Sequence, residues 1–201
     1  MSVSWPRLFD MVSSQAMIKN DPLLGLGKKI LELCPPPAKL LEVGVGSGVL
    51  AGYLQDFGYK VVGIDKDPAV IAYAKKRLRG EMLGIPLLLE RDAFQLYEGL
   101  AEYAPFSLAW SQGLLEHFKD EEIMELLRQQ LTVAETVVFS VPSENYPRKE
   151  YGDERGLPLP HWFGLCQSLG ELAEPTLAYY GHDLHILAVL RRKGDQNVVR
   201  T

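Results

Sequence analysis

Cysteine is scarce in this chain. The sequence of 201 residues contains two cysteines, Cys34 and Cys166, which lie far apart and in no spacing typical of a metal site. Small secreted domains that rely on disulfides carry more cysteines, so a disulfide framework is excluded. We expect two buried, reduced thiols in a cytoplasmic protein.

Long hydrophobic runs are also missing. The first residues, "MSVSWPRLFDMV", contain no long apolar run after a basic stretch. A membrane-spanning helix needs about 20 apolar residues, and a signal peptide needs a basic start followed by an apolar core. The sequence therefore predicts neither a signal peptide nor a membrane helix, and we expect no membrane partner.

Positive charge is not in excess. Lys and Arg number 21 against 26 Asp and Glu, which gives a formal net charge of −5. Proteins that hold nucleic acid along many phosphates carry basic surfaces, so the composition disfavours nucleic acid as a partner. With 47% hydrophobic residues, the chain is rich enough in apolar side chains to form one globular domain with a sizeable core.

Short apolar runs alternate with amphipathic stretches along the chain. The runs predict strands at 40–43, 60–64, 85–90, 106–110 and 136–141, and the stretches between them predict helices at 49–57, 68–78 and 121–131. Continuous apolar strands separated by amphipathic helices are typical of a parallel sheet covered on both faces. An earlier helix is predicted over "NDPLLGLGKKILEL", with Asp21 as its cap and Pro35–Pro37 as its end.

The order changes near the end of the chain. The strand-like segments "ELAEPTLAYY" and "LHILAVLRR" have "GHD" between them, which is too short for a crossover helix. The sequence therefore predicts an α/β fold with a mostly parallel sheet of seven strands, helices on both faces and a C-terminal antiparallel hairpin. The long irregular stretch Pro142–Pro160 is predicted to be a functional loop.

Glycine occupies every second position in part of "LLEVGVGSGVL", at Gly44, Gly46 and Gly48. Glycine adopts positive φ cheaply and leaves room for a ligand, and the first strand-to-helix loop is the usual ligand platform of an open α/β sheet. A dinucleotide fingerprint requires its third glycine one position later, where Val49 stands, and a P-loop requires a lysine that "GSGVL" lacks. The loop is predicted to bind a ligand of another kind.

Glu42 followed by the three glycines resembles the class I S-adenosylmethionine-dependent methyltransferases. The resemblance continues at later strand ends, in "YKVVGID", "LLERDAF" and "AWSQGLLEHF", and covers about 39–141. It implies a Rossmann-like fold, S-adenosylmethionine as cofactor, and methyl transfer by in-line displacement. This cofactor has no phosphate and is net cationic, so acids such as Glu42, Asp65, Asp92 and Glu116 suit it electrostatically.

The resemblance also implies where the cofactor is held. Asp65 would accept hydrogen bonds from both ribose hydroxyls, and Asp92 would face the adenine amino group. The cofactor-binding residues implied are Glu42, Gly44, Gly46, Gly48, Asp65, Lys66, Asp92, Ala93, Ser111 and Gln112. Asp65 and Asp92 also fit a simpler role as helix or turn caps.

The acceptor site is less defined by the sequence. His117 and Tyr146 are candidate catalytic residues, although the family's "EH" pair is often structural. Tyr151, Arg155 and Trp162 are candidate substrate-binding residues, although basic residues in a loop are commonly just solvated. "GHDLH" has two histidines and an aspartate but no third ligand at suitable spacing, so no metal is expected.

The stretch "WSQG" stands where methyltransferases of exocyclic amines or glutamine amides usually carry an Asn/Asp-Pro-Pro-aromatic motif. A small-molecule acceptor is therefore favoured. The alternatives are a protein or RNA substrate, a nucleotide-dependent oxidoreductase, and a non-catalytic S-adenosylmethionine-binding regulatory module.

One methyltransferase domain is expected over 1–201, as a monomer or homodimer. Its parts would be N-terminal helices covering the active site at 1–38, a cofactor-binding core at 39–141, a substrate lid at 142–160, and a helix with the β-hairpin at 161–201. Trp5–Met17 and the lid are expected to choose the acceptor.

Overall fold

The structure is a computed structural model that describes residues 21–81, 86–147 and 153–194. Its helices are α1 (Asp21–Leu33), α2 (Val49–Asp56), α3 (Pro68–Glu81), α4 (Leu96–Gly99), α5 (Asp120–Val133) and α6 (Leu159–Gln167). Its strands are β1 (Lys39–Val43), β2 (Lys60–Asp65), β3 (Leu87–Glu90), β4 (Phe106–Gln112), β5 (Ala134–Pro142), β6 (Ala173–Tyr180) and β7 (His185–Arg192). Short 3₁₀ turns lie at Ala93–Gln95 and Leu115–His117.

The strands form one seven-stranded sheet in the order β3-β2-β1-β4-β5-β7-β6. Strands β1 to β5 pair in parallel, whereas β7 is antiparallel to both β5 and β6. The predicted α/β class, the helices between strands and the terminal hairpin are confirmed. The hairpin forms because four residues, 181–184, join β6 to β7 and are too few for a crossover.

Helices cover both faces of this sheet. Helices α1, α2 and α3 bury one face, with a core that includes Leu26, Ile30, Leu54, Leu78 and Trp110. Helices α4, α5 and α6 bury the other face, with a core that includes Leu100, Leu127, Phe139, Val141 and Trp162. Burial on both sides explains why the parallel strands are continuous apolar runs.

Most predicted boundaries agree with the structure to within a few residues. Helix α1 ends at Leu33, immediately before the proline run, as expected from the missing N–H groups of proline. Residues 1–20 and 148–152 lie outside the described residues, so the predicted contributions of Trp5–Met17 and Tyr151 are not addressed. No described helix is long and apolar enough to cross a membrane. Cys166 is buried, Cys34 is half-buried, and both are free thiols.

The carboxyl ends of the five parallel strands all open at one edge of the sheet. Because β7 is antiparallel to β5, the turn between β6 and β7 also lies at this edge. The edge therefore carries the glycine loop after β1, the ends of β2 to β5, and the hairpin turn at 181–184. This edge positions most of the candidate site residues discussed below.

Candidate functional site

The glycine loop connects β1 to α2 through left-handed backbone. Gly44, Gly46 and Gly48 have φ of +75°, +50° and +73°, which confirms the predicted need for glycine. The amides of Gly44 and Val45 donate to Ile64 O at 3.0 and 2.8 Å, and so tie the loop to the end of β2. The loop thereby holds a fixed shape at the edge of the sheet.

Two of these glycines are also closely packed. A Cβ at Gly44 would lie 3.1 Å from Leu114 Cδ1, and a Cβ at Gly48 would lie 3.1 Å from Leu78 Cδ1 and 3.3 Å from Ala74 Cβ. Gly48 therefore lets the loop approach α3 closely. Its role is in folding as well as in loop conformation.

Asp65 ends β2 and faces the glycine loop. Its Oδ2 accepts a hydrogen bond from Gly46 N at 3.5 Å, and its Oδ1 accepts one from Asp67 N at 3.0 Å. Burial raises the pKa of Asp65, and the two backbone hydrogen bonds oppose this shift. Asp67, not Asp65, caps α3, since its Oδ1 accepts from Ala69 N at 2.8 Å.

Glu42 lies inside β1 with its side chain 6% exposed. Trp110 Nε1 donates to its Oε1 at 3.1 Å, while Oε2 is buried without a hydrogen-bond partner among the described residues. Burial raises the pKa of Glu42 to about 8, the Trp110 hydrogen bond and the nearby Ala51 backbone amide oppose this rise, and the Asp65 carboxyl adds to it. A buried, unpaired carboxyl oxygen is costly and invites a donor.

Asp92 follows β3 and is exposed. Its Oδ1 accepts from Phe94 N at 2.9 Å and caps the 3₁₀ turn that begins at Ala93. The simpler capping role is therefore present, and contact with an adenine stays a prediction. Lys66 is exposed beside Asp65 and likewise stays a predicted contact.

The end of β4 carries two further polar groups without partners in the described part of the chain. Ser111 is 1% exposed with an unpaired Oγ, and Glu116 is 3% exposed with an unpaired Oε2. Burial raises the pKa of Glu116 to about 8, with the Glu154 and Asp153 carboxyls adding to the rise against its own backbone hydrogen bond. Gln112, also at this end, is half-buried.

His117 and Tyr146, the predicted catalytic residues, lie in different surroundings. His117 Nδ1 lies 2.8 Å from Oδ1 of Asp153, an exposed carboxylate that can orient the imidazole. The Tyr146 ring instead packs edge-on against His185, with ring centroids 5.2 Å apart. Neither catalytic role is tested by these contacts.

Arg155 and Trp162, the predicted acceptor contacts, have structural partners. Arg155 donates from Nη1 to Phe118 O and from Nη2 to Asp120 Oδ1, both at 2.7 Å. His161 Nε2 lies 3.0 Å from the second oxygen of Asp120. Burial acts to raise the pKa of Asp120, but the Arg155 and His161 contacts outweigh it and hold the pKa below its usual value.

Trp162 is fully buried, with its ring 5.4 Å from that of Phe139. It belongs to the core between α6 and β5 rather than to an exposed wall, because α6 turns this side chain toward the sheet. Arg155 and Trp162 thus have partners within the fold, and their contact with an acceptor stays a prediction.

Three residues near this edge were not singled out by the sequence, and a fourth, His185, was considered only as a metal ligand; the three are Trp110, Ser140 and Tyr180. Trp110 pairs with Glu42, and Tyr180 Oη is hydrogen-bonded to Ser140 Oγ. One signal was available for Trp110, since a carboxylate within an apolar strand requires a partner on a neighbouring strand. No group of three His, Cys, Asp or Glu within the described ranges could hold a metal ion.

Comparison with known proteins assigns a family. Residues 40–135 match the family described as "Methyltransferase domain". An uncharacterized methyltransferase, YodH of Bacillus subtilis (strain 168), is 35% identical over 86 residues, which cover 42% of this chain and 33% of that protein. A protein-L-isoaspartate O-methyltransferase of Chlorobium limicola is 49% identical over 39 residues, 19% of this chain and 18% of that protein. The chain thus spans a third or less of these relatives.

A solved structure has the same fold. Magnesium protoporphyrin IX methyltransferase (ChlM) from Synechocystis PCC 6803 with bound SAH matches with a TM-score of 0.65 and 13% identity, over 85% of this chain and 81% of that chain. The glycine loop, the acids at successive strand ends and this strand order agree with the family match. Residues 40–135 of this chain thus match a methyltransferase domain, and they include strands β2 to β4 of the sheet and all but the first residue of β1.

Proposed function

We propose that this chain transfers a methyl group from S-adenosylmethionine to a small-molecule acceptor. The observation that carries the proposal is the junction of β1 and β2. There the left-handed loop at Gly46 meets Asp65, beside the buried Glu42 whose Oε2 has no partner in the described residues. A loop shaped by glycine beside two carboxyl groups is suited to a ligand rich in hydrogen-bond donors.

The chemistry of these groups fits the cofactor. S-adenosylmethionine has hydroxyl and amino donors, a positive sulfonium and no phosphate. Carboxyl groups attract such a ligand and would repel a pyrophosphate. The orphaned Oε2 of Glu42 is the strongest single mark of this fit, because a bound ammonium group, directly or through a water molecule, would satisfy it.

Each predicted contact has a role within the proposal. Asp65 accepts the ribose hydroxyls, Asp92 faces the adenine amino group, and Glu42 receives the amino group. The remaining contacts are made around the loop and the strand ends, by Gly44, Gly46, Gly48, Lys66, Ala93, Ser111 and Gln112.

When bound, the cofactor supplies a methyl group already activated by the sulfonium. The chain's residues then have to align the acceptor for in-line attack and keep water out. A proton released by the acceptor requires a base, for which His117, held by Asp153, and Tyr146 are the candidates. Few side chains have to take part in the chemistry itself.

A small-molecule acceptor is preferred over a protein or an RNA. The net charge of −5 and the "WSQG" sequence support this choice. Protein-L-isoaspartate O-methyltransferases match over 39, 120 and 133 residues, at most 62% of this chain, and the two longer matches are 29% identical, so we carry no acceptor across from them. The remaining alternative is a regulatory module that binds the cofactor without catalysing a reaction. For both the enzyme and the regulatory module, we propose a monomer or a homodimer.

Two measurements test the proposal. Calorimetry should detect binding of S-adenosylhomocysteine and no binding of NAD⁺, and failure to bind the former would overturn the assignment. Incubation with S-adenosylmethionine labelled in its methyl group, together with separated metabolite, protein and RNA fractions, should then label the metabolite fraction. Label in the protein or RNA fraction would mean that the acceptor is a protein or an RNA rather than a small molecule. No label in any fraction would favour the regulatory module.

A further inference from the structure

The carboxyl edge of the sheet divides into two halves. The predicted cofactor contacts lie at the ends of β1, β2, β3 and β4, which form one half of the strand order. The other half, made by β5, β7 and β6, carries no cofactor contact in the proposed function. It nevertheless carries an uncommon group of side chains: Ser140, Tyr146, Tyr180 and His185.

Strand register places three of these residues on one face of the sheet. Ser140 pairs with Gln112 on β4 and with Leu187 on β7, and His185 pairs with Tyr180 on β6. Because side chains alternate along a strand, Ser140, His185 and Tyr180 point to the face of Trp110 and Glu42. They are therefore on the same side as the predicted methionine end of the cofactor site.

The aromatic rings contact one another. The His185 imidazole lies 5.5 Å from the ring of Tyr180 and 5.2 Å from the ring of Tyr146, measured between centroids. Tyr180 Oη is hydrogen-bonded to Ser140 Oγ. All three rings are half-buried. We name Tyr146, Tyr180 and His185 the aromatic cluster.

Hydrogen bonds fix this cluster to the end of β5. Ser143 donates from N to Leu184 O at 2.9 Å and from Oγ to Asp183 O at 2.6 Å, and its own carbonyl accepts from Tyr146 N at 3.1 Å. The turn holds two non-glycine residues in left-handed backbone, His182 at φ +58° and Asp183 at +64°. Left-handed backbone is unfavourable for non-glycine residues, so these contacts hold the turn in place.

Helix α1 lies against one side of the cluster. A Cβ at Gly25 would lie 3.0 Å from Tyr180 Cε2, so α1 packs closely against the Tyr180 ring at this glycine. The Tyr180 ring is thereby fixed between α1 and the imidazole of His185. The cluster is preorganised before any ligand arrives.

The cluster is uncharged. Burial lowers the pKa of His185 below its ordinary value, which keeps the imidazole neutral near pH 7. Neither ring nitrogen of His185 makes a hydrogen bond to the described residues, so a neutral nitrogen is available as an acceptor. The nearby carboxylate of Glu144 accepts instead from Tyr179 Oη at 2.6 Å, and Tyr179 points to the opposite face of the sheet.

We propose that the aromatic cluster is the acceptor-binding subsite and that it takes a neutral, planar ring compound bearing a hydroxyl group. The rings of Tyr146 and Tyr180 pack against the acceptor ring, and His185 accepts a hydrogen bond from its hydroxyl. This inference rests on the proposed function, since it gives the acceptor its chemical class. His185 acts here as a specificity-determining residue.

The size of the acceptor follows from the sheet. Strand β7 lies two strand spacings, about 10 Å, from β4, where the proposed methyl donor ends. A compound of two rings that lies across β5 spans this distance. Its reacting atom then lies at β4 while its far hydroxyl lies at His185.

The test uses three probes of the same ring and different charge: phenol, benzylamine and benzoate. Binding is followed by the Cε1–H signals of ¹³C-labelled histidine in the protein saturated with S-adenosylhomocysteine. The chain has four histidines, so each signal can be assigned by substitution. Phenol should shift the His185 signal with an affinity at least about tenfold higher than either charged probe, because transfer of a charge to this surface is costly.

Variants separate the cluster from its surroundings. Tyr180→Phe, Tyr146→Leu and His185→Ala should each weaken phenol binding, and His185→Asn, which keeps an acceptor oxygen, should restore part of it. His182→Ala, three residues away in the same exposed turn, is the matched control and should bind as the unsubstituted protein does. With an identified acceptor, His185→Ala should raise KM about tenfold and change kcat little.

Several results would overturn the inference. One is equal binding of the three probes. Another is a preference for benzylamine, with shifts of the His117 signal instead of the His185 signal. A third is the absence of any shift of the His185 signal up to the solubility limit of phenol. Unchanged phenol binding in a folded His185→Ala variant would also overturn the inference. Failure of the proposed function is distinguishable, because it appears as absent binding of S-adenosylhomocysteine, whereas failure of this inference leaves that binding intact.

Discussion

Trp110 on β4 donates its indole hydrogen to Glu42 on the neighbouring β1, with 3.1 Å between Nε1 and Oε1. The hydrogen bond holds one carboxyl oxygen and leaves the other, Oε2, buried without a partner in the described chain. The indole thus fixes the carboxyl group while one oxygen is left to receive a ligand. This pair links the burial of β1 to the chemistry of the glycine loop.

Binding of S-adenosylhomocysteine should release a proton from Glu42. Burial raises the pKa of Glu42 to about 8, so the carboxyl group is mostly protonated in the unliganded protein at pH 7. An ammonium group beside it favours the carboxylate and lowers this pKa. Calorimetry at pH 7 in two buffers of different ionisation enthalpy should therefore report release of up to one proton per bound molecule.

Glu42→Gln should abolish that release and weaken binding. Glu116→Gln serves as the matched control, because Glu116 is also buried with its pKa raised to about 8 but lies beyond β4. It should keep the release. If the release disappears in Glu116→Gln and persists in Glu42→Gln, the amino group is held at the other carboxylate.

Asp65→Asn should weaken binding of S-adenosylhomocysteine by about 1.5–3 kcal/mol, the contribution of a hydrogen bond to a charged group. Asp67→Asn provides the control, since it makes the same change of charge two residues away, where Asp67 caps α3. Asparagine also caps helices well, so that variant should bind normally. Equal loss of affinity in both variants would mean that overall charge, rather than a contact at Asp65, determines binding.

Three glycine substitutions should have three different outcomes. Gly46→Ala should lower cofactor affinity more than stability, because the loop at φ +50° faces Asp65. Gly48→Ala should chiefly lower stability, since its Cβ would lie 3.1 Å from Leu78. Gly58→Ala, at φ +91° with nothing within 4 Å of its Cβ, measures backbone strain alone, about 1–2 kcal/mol.

Urea unfolding of these variants, together with calorimetry, separates the outcomes. Normal binding by a folded Gly46→Ala variant would remove Gly46 from the proposed site. A Gly46→Ala variant that unfolds outright would mean that this part of the loop is mainly structural.

The sequence was sufficient to predict the parts of the site that depend on a local pattern of residues. The strand-then-glycine pattern located the loop, and a parallel sheet necessarily brings the end of β2, with Asp65, to the same edge as Gly46. Spacing did not distinguish Asp65 from Asp67 as the cap of α3. That distinction depends on which carboxylate reaches Ala69 N, a matter of backbone geometry within two residues.

Contacts between distant strands could not be predicted in the same way. The hydrogen bond between Ser140 and Tyr180 depends on the register of β5, β7 and β6, and so does the position of His185. The sequence pattern does not give this register. The burial of Trp162 under α6 was likewise not predicted, and its contact with an acceptor stays a prediction. An apolar side chain serves either purpose, and only packing decides between them.

Stability of the unliganded protein should fall as the pH rises. Glu116 has a folded-state pKa of about 8 against an ordinary value of 4.5, so the folded protein binds more protons than the unfolded chain between these values. The free energy of unfolding therefore decreases as pH increases through this window, and one pKa unit corresponds to about 1.4 kcal/mol. Glu42 contributes in the same direction.

Urea unfolding at about pH 5.5 and about pH 8.5 measures this decrease. Glu116→Gln should flatten the dependence and stabilise the protein at the higher pH. Glu125→Gln, at a side chain 44% exposed on α5, should leave the dependence unchanged. An equally steep decrease in Glu116→Gln would mean that Glu116 is ionised in the folded protein.

Arg155 distinguishes a structural contact from an acceptor contact. Its guanidinium already donates to Phe118 O and to Asp120 at the start of α5, and the Asp120 carboxylate offsets its charge. Arg155→Gln and Asp120→Asn should each lower the free energy of unfolding, with a coupling in the double variant of about 0.5–1 kcal/mol, since both side chains are about one-third exposed. Binding of S-adenosylhomocysteine should not change in either variant. With an identified acceptor, KM should also stay the same in Arg155→Gln, whereas a raised KM with unchanged stability would restore Arg155 to the acceptor site.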